Sequence, residues 1–134
     1  MRIARAAFRL ACLGVVLTLV GCQSDNTAQL DGTVKLAGEP LDKGSIAFAP
    51  ADGQGQTAGG EITNGKYSVK VPVGVMKVEI RYPKVVGKKK DYDAPGGKYY
   101  DLYEESLPPK YNDETTLTVK VQRGKNQKDW DLGK

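Results

Sequence analysis

The sequence contains no histidine. That absence removes a Ser-His-Asp or Cys-His arrangement, a histidine-ligated zinc ion and the commonest general base near neutral pH. Cysteine occurs only at Cys12 and Cys22, so once an N-terminal leader is set aside no pair is left to cross-link a domain. Long apolar runs are missing too: the one from Leu10 to Val20 falls short of the about 20 residues a membrane-crossing helix needs. The richest glycine stretch, GQGQTAGG, lacks the Lys-Ser/Thr of a phosphate loop and precedes no helical pattern. Catalysis would have to rest on carboxylates or a Ser-Lys pair, and no motif groups such residues. The expectation is a protein that is not an enzyme and carries no cofactor or metal.

What is present begins with a targeting pattern. Arg2, Arg5 and Arg9 precede the apolar segment and no acid interrupts them, which gives the basic n-region and apolar h-region of an export signal. The run then breaks at Leu19-Val20-Gly21-Cys22 into Gln23, Ser24, Asp25 and Asn26. This stretch resembles the bacterial lipobox, and the resemblance implies cleavage before Cys22 and attachment of acyl chains to it. A single chain gives marginal membrane binding at about 0.8 kcal/mol per buried CH₂, whereas two or three hold a protein at the surface. The expected division is a signal peptide over 1–21, a flexible tether over 22–29 and one folded domain over 30–134. Gln23-Ser24 lacks the aspartate after the cysteine that marks inner-membrane retention in some bacteria, which leans the expectation toward the outer membrane of the envelope.

Charge changes meaning once the leader is removed. Three of the twenty Lys and Arg residues depart with it, leaving seventeen against sixteen acids. A nucleic-acid partner needs a basic excess on one face, and this near-neutral balance does not supply it. The membrane, through the lipid anchor, is the expected partner.

From Leu30 onward apolar residues alternate with polar ones in short runs bounded by turn residues, the period of half-buried strands. GTVKL, SIAFAP and VMKVEIRY read as strands, as do the runs around Tyr67, Val69 and Val71 and around Leu117, Val119 and Val121. KDWDL closes the set with Trp130 and Leu132 on one face. Asn64-Gly65 between two such runs signals a type I′ hairpin, because both residues tolerate positive φ. The expected core includes Val34, Ile46, Phe48, Tyr67, Val69, Val78, Ile80, Leu117, Val119 and Trp130. No helix-period segment follows residue 22, so the fold class is all-β, an antiparallel β-sandwich.

Several of these residues also match a known pattern. Gly32-Thr33-Val34 with Gly38, Pro40 and Leu41, then Asn64-Gly65-Lys66-Tyr67-Ser68-Val69 with Pro72, Gly74 and Val78, resembles the carboxypeptidase regulatory-like domains. The ending LPPKYNDETTLTVKVQRGKNQKDWDL resembles that of small bacterial lipoproteins built on this module. The resemblance covers most of 30–134 and implies a seven-stranded prealbumin-like (transthyretin-like) sandwich without catalytic machinery. Met76 stands where many such domains carry an aromatic, and the short forms lack the segment 83–114.

That segment, expected to be a long loop, is the candidate functional element, since long ordered loops are often functional. It holds Tyr92, Tyr99, Tyr100 and Tyr103, whose rings offer apolar faces and whose hydroxyls hydrogen-bond. Lys88, Lys89 and Lys90 precede them and could recognise a ligand or touch anionic lipid headgroups. The candidate ligand-binding set is therefore these four tyrosines and three lysines, with an envelope protein or polysaccharide as the partner class. The alternative is a periplasmic enzyme or a calcium-dependent module using Asp91, Asp93 and Asp101, hard oxygen ligands whose spacing matches no EF-hand loop. The lipobox makes a direct prediction: Cys22→Ser leaves the protein unprocessed or soluble, and mass spectrometry of the wild type finds an acylated N-terminal Cys22. An unmodified mature N-terminus would exclude the anchor.

Overall fold

The computed structural model describes residues 26–93 and 95–133, so the leader, the lipobox and Cys22 lie outside the described residues. Within them the chain forms strands β1 (Thr27–Leu36), β2 (Glu39–Pro40), β3 (Lys43–Pro50), β4 (Ala58–Thr63), β5 (Lys66–Pro72) and β6 (Gly74–Arg81). The order continues with β7 (Pro83–Lys90), β8 (Tyr99–Glu105), a 3₁₀ turn (Pro109–Tyr111), β9 (Thr118–Val121), β10 (Lys125–Gln127) and β11 (Trp130–Leu132). Among the described residues there is no α-helix. The fold is all-β, as the two-residue periodicity requires.

The main sheet runs β10-β1-β5-β4-β3-β6-β9, with β2 and β11 also paired to β1. Alternation then sorts the side chains. Tyr67, Val69 and Val71 of β5, Ile46 and Phe48 of β3, and Met76, Val78 and Ile80 of β6 are buried, while their neighbours in sequence face solvent or lie half-buried. Strands β4 and β5 are in register only at Thr63↔Lys66, beside the turn, so the sheet folds over there. The ring of Phe48 meets that of Tyr67 at 6.2 Å between centroids although β3 and β5 are not sheet neighbours. The folded-over layers thus share one core, in which each large apolar side chain contributes about 1.5–3 kcal/mol. Asn64 (φ 52°) and Gly65 (φ 74°) make the expected primed turn.

Three expectations need correction. The strands are more numerous than seven, and not all are antiparallel: β10 and β11 run parallel to β1, from Gln29↔Lys125 to Leu36↔Leu132. The tether is shorter than 22–29, because Thr27–Gln29 already pair with Pro72–Lys70 of β5. Its alternation is faint in the sequence, since the buried position between Thr27 and Gln29 is only Ala28, too small to stand out as apolar. Of the expected core, Leu117 and Val119 are half-buried, in the segment that forms the edge of the main sheet at β9. Leu41, Ile62, Leu107, Tyr111 and Val121 are further core members.

Gly32 controls how the last strand lies against the first. Between β10 and β11 the Lys128 carbonyl turns inward over it, and a Cβ on residue 32 would sit 1.8 Å from that oxygen. Three hydrogen bonds fix the crossing. The Lys128 N–H donates to the Asp31 carbonyl at 2.9 Å, the Thr33 N–H donates to Asp129 Oδ1 at 2.9 Å, and the Tyr67 hydroxyl donates to the Lys128 carbonyl. Burial pushes the pKa of the Tyr67 hydroxyl from the ordinary 10 up to about 12, so the donor, already protonated at neutral pH, stays so well into the alkaline range. Gly32→Ala is expected to cost about 3 kcal/mol or more, since the obstacle is backbone and cannot rotate away. A thermal melt followed by circular dichroism checks this, and a melting temperature equal to that of the wild type would contradict it.

Candidate functional site

Strands β7 and β8 stand apart from the main sheet as a two-stranded antiparallel ribbon. The expected loop over 83–114 is therefore largely regular structure. Its periodicity is hidden for two physical reasons: most of its side chains are exposed, so neither face selects apolar residues, and a bulge between Val85 and Gly87 shifts the phase. At the tip the Asp91 N–H donates to the Lys98 carbonyl at 2.8 Å, and the Asp93 N–H donates to Asp91 Oδ1 at 3.0 Å.

The base of the ribbon is tied by one carboxylate. Glu105 Oε1 accepts the Tyr82 N–H and the Leu107 N–H, each at 2.9 Å, so a single oxygen joins the residue entering the ribbon to the residue leaving it. Ser106 reinforces the junction by donating its N–H and its hydroxyl to the Tyr82 carbonyl. Below it Leu107 and Tyr111 enter the core, and the Tyr111 hydroxyl donates to the Gly133 carbonyl at 2.9 Å.

Strand β9 pairs with β6 only as far as Lys77, and two side chains serve the carbonyls beyond. The Thr115 hydroxyl donates to the Val78 carbonyl at 2.6 Å, and Asn112 Nδ2 donates to the Ile80 carbonyl at 3.5 Å. Both residues are buried, and both are satisfied. Arg81 adds an ion pair to Asp113 at 2.6 Å on the exposed side, and that bond holds the guanidinium above its ordinary range.

The tyrosines are carried outward: Tyr92 is 84% exposed, Tyr99 67%, Tyr100 47% and Tyr103 65%. Register distributes them. Lys90↔Tyr99, Lys88↔Asp101 and Val85↔Tyr103 lie on one face, and Lys89↔Tyr100 and Gly87↔Leu102 on the other. The lysine run is split in the same way, Lys88 and Lys90 to one side and Lys89 to the other, so it makes no single basic face. Lys90 Nζ lies 5.6 Å from the centroid of the Tyr92 ring, and Lys88 is 3.9 Å from Asp101. Asp91, Asp93 and Asp101 are not brought together, and among the described residues no three Cys, His, Asp or Glu side chains group to hold a metal ion.

Two depressions adjoin these elements. One, about 670 Å³, lies between the ribbon and the outer face of β3 and β4; Pro83, Val85 and Tyr103 line one side, and Asp42, Ser45 and Glu61 are among the residues on the other. The second, about 640 Å³, opens over β1 and β5, and there Asp31 accepts from Ser68 Oγ at 2.6 Å and Gln29 Nε2 at 2.9 Å. Those two bonds, that of Ser68 foremost, lower the Asp31 carboxyl below its usual range. Sequence reasoning missed Asp42, Ser45, Glu61 and Glu105 as contributors, because only the fold brings β3 and β4 beside the ribbon.

The chain matches no protein-family model and no curated protein. Among solved structures, 81% of the chain is similar to 16% of a 9R-lipoxygenase from Cyanothece PCC8801, with 12% identity and a TM-score of 0.40. The chain thus spans about a sixth of that enzyme's length, and a likeness at this score carries no argument about activity.

The clasp generates a prediction. Glu105→Ala removes the acceptor of two amides in part-buried hydrogen bonds and is expected to lower stability by about 1 kcal/mol, because water can reach part of the vacated site. Hydrogen exchange at the Tyr82 and Leu107 amides should accelerate. Glu105→Gln, which keeps one acceptor oxygen, should retain part of the protection; unchanged exchange in Glu105→Ala would show that the ribbon is held by other contacts.

Proposed function

We propose that the protein is a non-catalytic, lipid-anchored binding module of the bacterial cell envelope, of the carboxypeptidase regulatory-like kind, with ribbon β7–β8 as its recognition element. The observation that carries this reading is the exposure of the ribbon. Val85, Val86 and Leu102 are exposed along with Tyr99, Tyr100 and Tyr103, and Tyr92 in the connection between the two strands is exposed too, on an element that contributes little to the core. An isolated two-stranded hairpin is marginal in water, so large apolar side chains held exposed on such an element are better accounted for by a partner than by packing. Tyrosine suits that role, since it gives large contact area with a polar tip and is enriched at interfaces.

The anchor and the ribbon complement one another. Acyl chains on Cys22 confine the domain to the membrane surface, outer membrane in this reading, and only Gln23 to Asn26 separate the lipid from β1. A partner fixed in the envelope then meets the ribbon at high local concentration, which raises the occupancy of a modest interface. Among the described residues no helix is long and apolar enough to cross a membrane, and the anchor supplies the attachment in its place.

Replacing Tyr99, Tyr100 and Tyr103 together by alanine tests the proposal. Exposed substitutions usually stay within about 0.5 kcal/mol each, so the melt should barely move. Co-sedimentation of the protein with purified envelope material should fall sharply. A large loss of stability with unaltered co-sedimentation would mean that the rings serve packing and would reject the ribbon as a recognition element.

A further inference from the structure

The cleft beneath the ribbon has two unlike walls, and the register explains both. Lys43↔Thr63 and Ser45↔Glu61 are cross-strand partners, so these four side chains share the outer face of β3 and β4, while Ile62, one residue out of phase, is buried. Asp42 and Asn64 extend this polar wall, held together by the Asn64 N–H donating to the Asp42 carbonyl at 2.8 Å. Across the gap Val85 and Tyr103 are partners and present one ribbon face together with Pro83. A wall of hydroxyls, carboxylates, an amide and the Lys43 ammonium thus faces an apolar wall with an aromatic ring across a cleft of about 670 Å³.

We propose that this cleft binds pyranose units of a neutral or amino-sugar glycan. The proposal rests on the reading of the ribbon as a recognition element and gives its ligand a chemical class. A pyranose ring is amphipathic in the same sense as the cleft, with C–H groups on its faces and hydroxyls around its edge. Tyr103, Val85 and Pro83 receive the C–H face. Ser45, Thr63 and Asn64 donate and accept at the edge, and the carboxylates of Asp42 and Glu61 each accept from hydroxyl protons. The volume lies within the roughly 300–1,000 Å³ of small-molecule sites.

The same residues exclude other ligand classes. A purely apolar molecule would leave the polar wall without partners, at the cost of stranding each buried donor or acceptor. A peptide cannot add to β3 as a strand here, because β4 and β6 already pair along its two edges. Anionic sugars meet two carboxylates against the single ammonium of Lys43.

The test is titration calorimetry of the full-length protein in detergent micelles. The probes are tetramers of β-1,4-linked N-acetylglucosamine, of glucosamine and of galacturonate. The N-acetylglucosamine or glucosamine tetramer is expected to bind at least about tenfold more tightly than the galacturonate tetramer. Tyr103→Ala should weaken that binding by about tenfold, while Tyr103→Phe, which keeps the ring, should stay within about twofold. Asp42→Asn combined with Glu61→Gln should erase the discrimination against galacturonate. Absence of binding by all three tetramers, preference for the galacturonate, or indifference to Tyr103→Ala would overturn the sugar assignment. If envelope co-sedimentation still depends on the ribbon tyrosines in that case, the ribbon reading stands and only the glycan fails.

Discussion

A carboxylate in the right place lets this fold carry an element that would not hold its shape alone. Two strands without a third, exposed on both faces, have little apolar burial to offset the entropy of ordering some fifteen residues at roughly 1–2 kcal/mol each. Glu105 alters that balance locally. By accepting from Tyr82 and Leu107 at once it closes the base of the ribbon, and Leu107 and Tyr111 connect that base to the core. The ribbon is thereby presented as an extension of β6, with its tyrosines at defined register positions and the cleft over β3 and β4 held open beneath Val85 and Tyr103.

The remainder of the sandwich can be understood as what that presentation requires. Strand β6 must be rigid where the ribbon leaves it, yet β9 covers it only to Lys77. Thr115 and Asn112 complete the edge by side-chain hydrogen bonds to the Val78 and Ile80 carbonyls, so these two acceptors near the end of β6 are satisfied without another strand. On the opposite side the parallel pairing of β1 with β10 and β11 ties the two ends of the domain together through Gly32.

Much of this was legible in the sequence where burial enforces alternation. Val34, Ile46, Phe48, Tyr67, Val69, Val78 and Ile80 announce their strands because each is flanked by residues that face solvent, and Asn64-Gly65 announces its turn through conformational necessity. The signal fails wherever that cause is absent. Exposed faces leave KVVGKKK and YYDLYEE without a readable period, and the bulge at Val86 scrambles what remains. Glu105 reads as one more acid in a charged run, since its role depends on two amides that only the ribbon's closure brings near it. The parallel course of β10 and β11 is likewise invisible, because strand pattern fixes which face is buried but not which neighbour is chosen. The tyrosines were identifiable as a group from composition; their division between two faces follows only from register, and the position of Tyr103 across the cleft from β3 and β4 only from the fold.

In the proposed role the ribbon is bare in the isolated protein and covered in the cell envelope. Hydroxyl-radical footprinting of tyrosine measures this directly, on purified protein and on intact cells. The account predicts that Tyr99, Tyr100 and Tyr103 are reactive in the purified protein and protected in cells, while the buried Tyr67 and Tyr111 are unreactive in both. Equal reactivity of the ribbon tyrosines in the two settings would contradict it.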